Sequence, residues 1–432
     1  MSYPTYPEYE DSGVPWIGNK PRHWLVMKLH HMVRMKSGSS ITSLEMDDDE
    51  AYPVFGGNGI RGRFSQYTHD GAYVLIGRQG AECGNVNYAY GKFWASEHAV
   101  VATPDRELEH HWLGETLRAM NLNQYSQAAA QPGLSVEVIG RLKLPYPPPP
   151  EQQQIAAFLD WKTGQIDALI ARKKELLERL KEKRIAVITQ AVTRGLNPAA
   201  PMRDSGVPWL GQVPQHWNVK RLRFACTHIE QGWSPQCENQ PADQDSWGVM
   251  KVGCVNGDVF NPEANKTLPP DLEPIEEYEL KPGDILISRA NTSELLGSAA
   301  IVPEGTRAKL LLCDKLFRVS PEPEVRNDFL TFFLRTPIAR FQYEREATGA
   351  SSSMKNIGQS TIKNVPTVIP PITEQEAICA FIRRQTGKLD SLLAIVENAI
   401  ACLTEYRTAL ITAATTGKTD VREVQIPAKK PD

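Results

Sequence analysis

The chain of 432 residues is 41% hydrophobic and 23% charged, with a formal net charge of −3, and it is long enough for two or three ordinary hydrophobic cores. It has neither a leader-like N-terminus nor an apolar run of about 18 residues, which argues against secretion and membrane spanning and favours the cytoplasm. The seven cysteines are odd in number and none is spaced as C-x-x-C, so we expect reduced thiols. The charge excludes a surface that is basic throughout, and any binding of nucleic acid must depend on local patches.

A segment near the N-terminus occurs a second time in the middle of the chain. Residues 11–29 read DSGVPWIGNKPRHWLVMKL, and residues 204–222 read DSGVPWLGQVPQHWNVKRL. The identical positions include Asp11, Pro15, Trp16, His23 and Trp24, which recur as Asp204, Pro208, Trp209, His216 and Trp217. Self-similarity on this scale indicates an internal repeat of a whole module.

The segment that follows each motif has the pattern of a mixed α/β globular domain. Short runs rich in β-branched and aromatic residues, separated by Gly, Asn and Pro, predict strands, and longer runs predict helices. The predicted strands lie at 72–77, 93–103, 284–288 and 315–320, and the predicted helices at 108–120 and 325–336. We therefore expect two globular parts, over about 20–148 and 213–368.

The segment VFGGNGIRG at 54–62 contains both G-x-G-x-x-G and F-x-G-x-G, which are patterns of dinucleotide and S-adenosylmethionine sites. Such a site needs a buried strand before the glycines and a helix N-terminus after them. Here Pro53 precedes closely and the β-like IRGRFSQYT follows. The context favours a tightly turned or mobile loop that presents Asn58, Arg61 and Arg63.

Polar residues follow two corresponding strands, the ones predicted at 72–77 and 284–288. Arg, Asn and Gln side chains match the hydrogen-bonding edges of guanine and adenine, and the hydroxyls and lysine of TGASSSMKN at 348–356 suit phosphates. An ordinary solvated loop is the alternative for each segment. The candidate DNA-binding residues are Asn58, Arg61, Arg63, Arg78, Gln79, Arg289, Asn291, Thr292, Ser352 and Lys355.

A second repeated segment follows each globular part. PPPPEQQQIAAFLDWKTGQIDALI from Pro147 matches IPPITEQEAICAFIRRQTGKLDSLL from Ile369, and the two repeats are offset by 193 and 223 positions, so the second globular part is longer by 30 residues. The prolines predict extended chain, and the glutamate that opens each helix-forming run predicts a helix start. The Thr-Gly pairs at 163–164 and 386–387 predict a break, with a helix of about 26 residues, roughly 39 Å long, after it.

The helices predicted after the breaks share one apolar register with 3-4 spacing, which predicts that they pair with each other. Its members are Ile166, Leu169, Leu176, Leu180 and Val187 in the first helix, and Leu389, Leu392, Val396, Ala399, Leu403, Tyr406 and Leu410 in the second. The first helix is strongly basic at 171–184. A solvated face is one interpretation of that stretch, and a stripe that faces phosphates or a partner protein is the other.

The sequence contains no recognisable catalytic motif. An adenine methyltransferase that acts on a flipped base needs an N/D-P-P-Y/F tetrapeptide, and the chain has neither this nor a Walker A loop, an H-E-x-x-H or a nuclease-like P-D…D/E-x-K pattern. The adjacent histidines at 30–31 and 110–111 point to different faces of a helix or strand and make poor metal pairs. We therefore predict no catalytic residue, no metal site and no cofactor bound by this chain.

The repeated motifs resemble those of the specificity subunits of type I restriction-modification systems. The resemblance is carried by DSGVPWIG with the following HW, by the repeated EQ…IA.FL…T…ID helices and by GGNGIRG…RQGA…FWAS, and it covers essentially the whole length. It implies an α+β fold in which two mixed α/β target recognition domains are separated and joined by two long helices. The helices would form an antiparallel coiled coil within a pseudo-twofold internal repeat.

On this basis we divide the chain into five segments. They are a first target recognition domain at 1–148, a central helical spacer at 149–203, a second target recognition domain at 204–370, a distal helical spacer at 371–420 and a disordered C-terminal tail at 421–432.

The resemblance also implies a function. The chain would be a non-catalytic DNA-specificity subunit, each recognition domain reading one half of an asymmetric bipartite site in double-stranded DNA, and its helices would dock two modification subunits that methylate adenine. S-adenosylmethionine, ATP and Mg would be bound by partner subunits, which include restriction subunits that translocate and cleave DNA. A coiled-coil adaptor without a DNA role and a self-contained DNA methyltransferase or nuclease are the alternatives.

Overall fold

The computed structural model describes residues 3–80, 83–126, 133–349 and 354–427. The chain divides into two compact units, one formed by Met1–Glu175 with Glu397–Asp432 and the other by Leu176–Val396. Each unit combines one globular part with portions of two long helices. The segment boundaries drawn from the sequence, which set the helices apart, stay a prediction.

The described residues before the first long helix form strands, two short α-helices and a few 3-10 turns. The strands are β1 (Tyr9–Asp11), β2 (Asn19–Pro21), β3 (Leu25–Lys28), β4 (Val33–Ser37), β5 (Tyr52–Gly56), β6 (Gly59–Phe64), β7 (His69–Gly77), β8 (Val86–Ala95), β9 (Ala99–Pro104) and β10 (Lys143–Tyr146). The helices are α1 (His110–Ala119), α2 (Val136–Arg141) and the first long helix, α3 (Pro149–Arg194).

The second copy of the module has more strands than the first, and several of them are only two or three residues long. The strands are β11 (Met202–Asp204), β12 (Gln212–Pro214), β13 (Asn218–Arg221), β14 (Cys226–Gln231), β15 (Gly248–Met250), β16 (Asn265–Thr267), β17 (Ile285–Ser288), β18 (Ala290–Asn291), β19 (Ala299–Ile301), β20 (Leu310–Leu311), β21 (Leu316–Pro321), β22 (Lys355–Asn356) and β23 (Pro366–Ile369). The helices are α4 (Asn327–Leu334), α5 (Pro337–Glu346), α6 (Gln359–Lys363) and the second long helix, α7 (Ile372–Thr415).

The sheets of the two copies share their connectivity. In the first copy the strand order is β4-β9-β7-β8-β5-β6, antiparallel except for the pair β5–β8. In the second copy β14-β21-β17-β19 form one sheet and β16-β15-β20 another, in which β15 and β20 are parallel. The strands β14, β21, β17 and β19 therefore correspond to β4, β9, β7 and β8, and β15 with β16 corresponds to β5 with β6. The longer second copy has its sheet split in two.

The strand β7 shows how the core determines the fold of the first copy. Val74 and Ile76 pack in the same core as Trp112 of α1, whereas Leu75, between them, packs with Phe93 on the other side. A strand covered on both faces is apolar without alternation, as the sequence AYVLIG requires. The strands predicted at 72–77, 93–103, 284–288 and 315–320 are confirmed in β7, β8 with β9, β17 and β21, and the predicted helices in α1 and α4.

The long helices are continuous, and the predicted break at each Thr-Gly pair is wrong. The helix α3 has 46 residues and α7 has 44, so each is well over 60 Å long at about 1.5 Å per residue. A Cβ at Gly164 or Gly387 would meet open space, and a glycine in a helix interior costs only about 1 kcal/mol. Thr163 and Thr386 donate their hydroxyls to carbonyls one turn earlier, at 2.7 and 2.9 Å. These small local preferences do not end a helix that packs along most of its length.

The two long helices lie antiparallel to each other. In the first unit, Asp167 of α3 forms a two-bond ion pair with Arg407 of α7, at 2.9 and 3.2 Å. In the second unit, Arg184 of α3 pairs with Asp390 of α7 at 3.0 Å. The earlier part of each helix thus contacts the later part of the other, as the predicted fold class requires.

The predicted apolar register of these helices is only partly confirmed. Ile166, Leu389, Val396 and Leu410 are buried, with 5–7% exposure. The predicted positions that are instead exposed are Leu169 (44%), Leu176 (44%), Leu392 (47%) and Tyr406 (46%). The least exposed stripe between the ends of α3 passes through positions 166, 170, 173, 177, 180 and 184, so polar residues share the seam. Successive residues of a helix are rotated by about 100°, so a predicted register that is shifted by one residue places side chains on the wrong face.

The prediction of a disordered tail from 421 is wrong for the residues that the structure describes. Val421 is fully buried, and Val424 and Ile426 pack against the core of the first unit. Gln154 donates to the carbonyls of Val421 and Val424, at 3.1 and 3.0 Å. Burial of an apolar residue in a preformed core outweighs the polar composition around it, while residues 428–432 lie outside the described part.

Candidate nucleic-acid interface

The repeated His-Trp and Glu-Gln motifs meet at the N-terminus of a long helix in each copy. The Glu151 carboxylate accepts a hydrogen bond from Trp24 Nε1 at 2.8 Å and lies 2.6 Å from His23 Nε2. In the second copy, Glu374 has the equivalent partners, at 2.9 Å from the indole nitrogen and 2.6 Å from the histidine nitrogen. We call each arrangement a clamp. It fastens a globular part to a helix.

The glutamine after each clamp glutamate completes the attachment. Gln152 and Gln375 are fully buried, and each accepts from a backbone N–H of the globular part, at 3.0 and 2.8 Å. Each also donates to a proline carbonyl that precedes the helix, at 2.8 and 2.9 Å. In the first copy alone, Tyr6 contacts Glu151 at 3.2 Å, and burial together with the charge of Glu151 raises the pKa of Tyr6.

The glycine-rich segment at 54–62 is a hairpin. It runs from β5 through residues 57–58 into β6, so a strand and not a helix follows the glycines, and the geometry of a dinucleotide loop is absent from this described segment. Asn58 and Arg61 are exposed on the hairpin. Arg63 donates to the backbone carbonyls of Glu50 and Ala51, which ties its guanidinium to its own fold.

The first group of candidate residues lies around the end of β7. The hairpin backbone at Gly57 approaches Gln79, since a Cβ there would lie 3.3 Å from the Gln79 carbonyl. The exposed Gln79 side chain contacts His98 Nδ1 at 3.1 Å, and Arg78 donates to the Ser37 hydroxyl at 3.3 Å. The structure therefore brings Asn58, Arg78 and Gln79 to one edge of the sheet.

A polar hollow of about 430 Å³ adjoins this edge. The residues that line it include Asn58, Asn85, Asn87, Arg118, Asn121 and Asn123. The Asn87 Nδ2 is buried without a hydrogen-bond partner in the structure, and Arg118 donates to the Val86 carbonyl at 2.8 Å. The amide side chains supply donors and acceptors of the kind that read base edges.

The second group lies at the end of β17. Arg289 donates to the Asp314 carbonyl at 3.2 Å, and Thr292 is exposed. Asn291 is only 8% exposed and is paired across β18 and β22 with Lys355. The structure thus unites Arg289, Asn291, Thr292 and Lys355, while Ser352 lies outside the described residues.

Sequence reasoning missed several residues at both edges. Asn85 donates to Asn58 at 2.7 Å, Asn291 donates to Asn256 at 3.0 Å, and His98 holds Gln79. Asn256 follows the short strand β15, which the sequence does not predict because no run of alternating apolar and polar residues marks it. The only available signal was the Asn-Gly pair that 58–59 and 256–257 have in common.

The fold defines a duplicated α/β module on long helices, and the comparisons give its family. The family model for the type I restriction modification DNA specificity domain matches residues 21–181 and 242–397. The chain therefore belongs to this family. The predicted resemblance and fold class are confirmed.

Individual relatives agree with this assignment. The EcoprrI specificity subunit of Escherichia coli is 45% identical over 136 residues, 31% of this chain and 34% of the relative. The EcoKI specificity subunit of E. coli K12 is 24% identical over 311 residues, 71% of this chain and 64% of the relative. The chain thus spans less than two thirds of either.

Solved structures show the same fold. A chain from a study of complex assembly and conformational transition of the type I R-M system aligns over 92% of this chain and 98% of its own length, with a TM-score of 0.68 and 16% identity. In the described ranges, no helix combines the length and apolar character that crossing a membrane requires.

Proposed function

We propose that the chain directs a type I restriction-modification complex to an asymmetric bipartite site in double-stranded DNA, each globular part reading one half. The observation that carries this is the contrast between the two copies. Both clamps join the glutamate to the same indole and histidine partners, whereas the polar connections at the ends of β7 and β17 differ in sequence and length. Two different polar edges on equivalent attachments suit the recognition of two different DNA sequences.

The candidate side chains supply the required chemistry in part. Exposed Asn58, Arg61 and Gln79 and half-buried Lys355 can reach a base edge or a phosphate, whereas Arg63 and Arg289 are engaged with backbone carbonyls. The net charge of −3 indicates that partner subunits supply much of the phosphate contact. We therefore expect weak DNA binding by the isolated chain.

The partners in this proposal are two modification subunits docked on the helices. Exposed Leu169 on α3 and Leu392 on α7, at equivalent repeat positions and 44% and 47% exposed, give the two copies a matching apolar contact. Two copies of the same modification subunit would therefore each meet an equivalent apolar contact, one on α3 and one on α7. S-adenosylmethionine, ATP and Mg would belong to the modification and restriction subunits, and the cytoplasm is the expected location.

A segment exchange tests the proposal. Residues 20–148 are replaced by the equivalent segment of a relative, the chain is assembled with its modification subunits, and methylated DNA is sequenced. We expect one half of the site to change while the other half and the spacer persist. Exchange of residues 213–368 is the matched control and should change the other half. A site that changes in both halves, or in neither, would contradict the proposal.

A second assay separates it from a self-contained enzyme. The purified chain alone should transfer no labelled methyl group from S-adenosylmethionine to DNA, and addition of the modification subunit should restore transfer. Transfer by the chain alone would exclude a purely recognising role. An assembled complex without any sequence preference would favour an adaptor.

A further inference from the structure

The connection between β5 and β6 corresponds to the connection between β15 and β16. In both copies the first strand of the pair is antiparallel to the second and parallel to a third strand, β8 or β20. The first connection is a short hairpin tip, and the second runs over 251–264. Both pass through an Asn-Gly pair, Asn58-Gly59 and Asn256-Gly257, whose glycines have φ of 93° and 76°.

In each copy a second asparagine holds the first by the same kind of bond. Asn85, between β7 and β8, donates its Nδ2 to Asn58 Oδ1 at 2.7 Å. Asn291, between β17 and β19, donates its Nδ2 to Asn256 Oδ1 at 3.0 Å. Within the described part of the chain, neither Asn58 nor Asn256 donates a hydrogen bond from its own Nδ2. Both amides are therefore oriented by a neighbour while their own donors stay available.

A large apolar side chain is exposed beside each of these amides. Ile60 follows Asn58 by two positions and is 63% exposed, and Val259 follows Asn256 by three positions and is 70% exposed. Both are β-branched residues in extended backbone that would normally favour burial. Apolar side chains of this size fit the C5-methyl group of thymine in the major groove.

We propose that Asn58 and Asn256 are equivalent base-reading residues, each recognising the adenine of an A·T pair in its own half-site. The amide Nδ2 donates to adenine N7, and the second lone pair of Oδ1 accepts from adenine N6. Ile60 and Val259 contact a thymine methyl in the same or the adjacent pair. Asn85 and Asn291 are positioning residues, because each occupies one lone pair of the reading amide and fixes its direction.

This inference rests on the proposed function, and it requires the two unlike recognition parts to share one element. Their half-sites would differ in the surrounding bases and agree in one A·T pair. Fixed orientation matters here, because a freely rotating amide offers donor and acceptor in either order and discriminates less between bases.

The test uses the chain assembled with its modification subunits and selects binders from a duplex library with randomised bases. The wild type should enrich a bipartite site. Asn58→Ala should weaken the preference for A·T at one position of one half-site by about 10- to 100-fold, and Asn256→Ala should do so in the other half-site alone. Asn19→Ala, an exposed asparagine in the repeated N-terminal segment, is the control and should leave the selected site unchanged.

The positioning role has its own variants. Asn85→Asp and Asn291→Asp keep the side-chain shape but place an acceptor where the donor was, so the reading amide turns its Nδ2 inward and presents only oxygen. We expect the preference for adenine to be lost at the same position while the preferences at the other positions of the site persist, because the added carboxylate weakens binding to every sequence alike. Preference retained in both aspartate variants would overturn the positioning role.

Two results separate failure of the inference from failure of the proposed function. A wild-type complex that enriches no site contradicts the proposed function itself. A selective wild type whose Asn58→Ala and Asn256→Ala variants keep every base preference, or lose affinity evenly at all positions, overturns the reading role and leaves the proposed function intact.

Discussion

The two copies of the module are alike where they meet the long helices and unlike where their strands end. The clamp distances agree to within 0.1 Å, at 2.8 and 2.9 Å for the indole and 2.6 Å for both histidines. The link from β5 to β6 is a short turn, whereas its counterpart spans 251–264. A module held by a constant attachment can change its reading edge without losing its place on the helix.

In a contact beside the clamp, the acidic residue lies on opposite sides in the two copies. In the first copy His111 lies 3.0 Å from Asp160 of α3, and in the second copy Asp328 is paired with Arg383 of α7. Asp160 and Arg383 occupy equivalent repeat positions, so the acid is on the helix in one copy and on the globular part in the other. The second globular part, if attached to α3, would place Asp328 beside Asp160, and two carboxylates repel each other. The attachment therefore also distinguishes the copies.

Removal of the clamp indoles should have the largest effect. Trp24 and Trp217 are each 1% exposed, and truncation of a buried Trp to Ala destabilises by about 3–5 kcal/mol. Hydrogen exchange measured by mass spectrometry should rise in Met1–Glu175 and Glu397–Asp432 for Trp24→Ala, and in Leu176–Val396 for Trp217→Ala. An equal rise in both units for either variant would break the comparison.

The two clamp glutamates should contribute unequally to the free energy of unfolding. Loss of a charged partner by buried donors costs about 1–3 kcal/mol. The Glu151 side chain is 12% exposed and that of Glu374 is 41% exposed, and only Glu151 also binds Tyr6. Denaturant unfolding should show a larger loss for Glu151→Ala than for Glu374→Ala, and Glu→Gln at either site, which keeps an acceptor, should lose less. A larger loss at Glu374 would contradict the role of burial.

Alanine should have opposite effects at glycines inside the long helices and at Gly417, which follows the end of α7. Gly417 has φ of +76°, and a Cβ there would lie 2.2 Å from Pro21. A non-glycine residue in left-handed backbone costs about 1–2 kcal/mol. Because the clash adds to this cost, Gly417→Ala should destabilise the fold by more than that amount. Gly164→Ala and Gly387→Ala, in open helix positions, should stabilise by about 0.5–1 kcal/mol. Thermal unfolding of the three variants measures both signs. Destabilisation at Gly164 would indicate that the helix bends there.

The ion pairs of Asp328 should make the attachment of the second globular part to α7 sensitive to acid. Burial raises the pKa of Asp328, but the hydrogen bond and charge of Arg326, together with Arg383, outweigh it and hold this pKa below the ordinary 3.8. A carboxyl with a lowered pKa stabilises the fold above about pH 4, and that contribution is lost as the pH falls through the lowered value.

Asp328→Asn tests this dependence. The variant should be less stable at neutral pH, and its unfolding midpoint should change less between pH 4 and pH 2 than that of the wild type. Asp160→Asn in the first copy is the matched control for a more exposed acid, whose side chain is 56% exposed against 11% for Asp328. Parallel pH profiles for wild type and Asp328→Asn would contradict the assignment.

Much of the fold could be predicted from the repeat. The His-Trp and Glu-Gln motifs mark the ends of each module because identical contacts at two places need identical residues, and β7, β17, α1 and α4 follow from local apolar patterns. The break at Gly164 and the exposed positions of Leu169 and Tyr406 could not be predicted correctly. Short-range preferences of about 1 kcal/mol decide little when a helix is held along its length by tertiary packing.

The candidate site divides in the same way. The sequence by itself determined that the chain is a duplicated module, which of its parts are constant, and that polar residues follow β7 and β17. Only the tertiary structure decided that Asn85 orients Asn58 and that Asn291 orients Asn256, because these partners are 27 and 35 residues apart and meet only when separate strand connections fold onto one edge. A side chain's direction depends on its spatial neighbours, and spacing along the chain does not supply them.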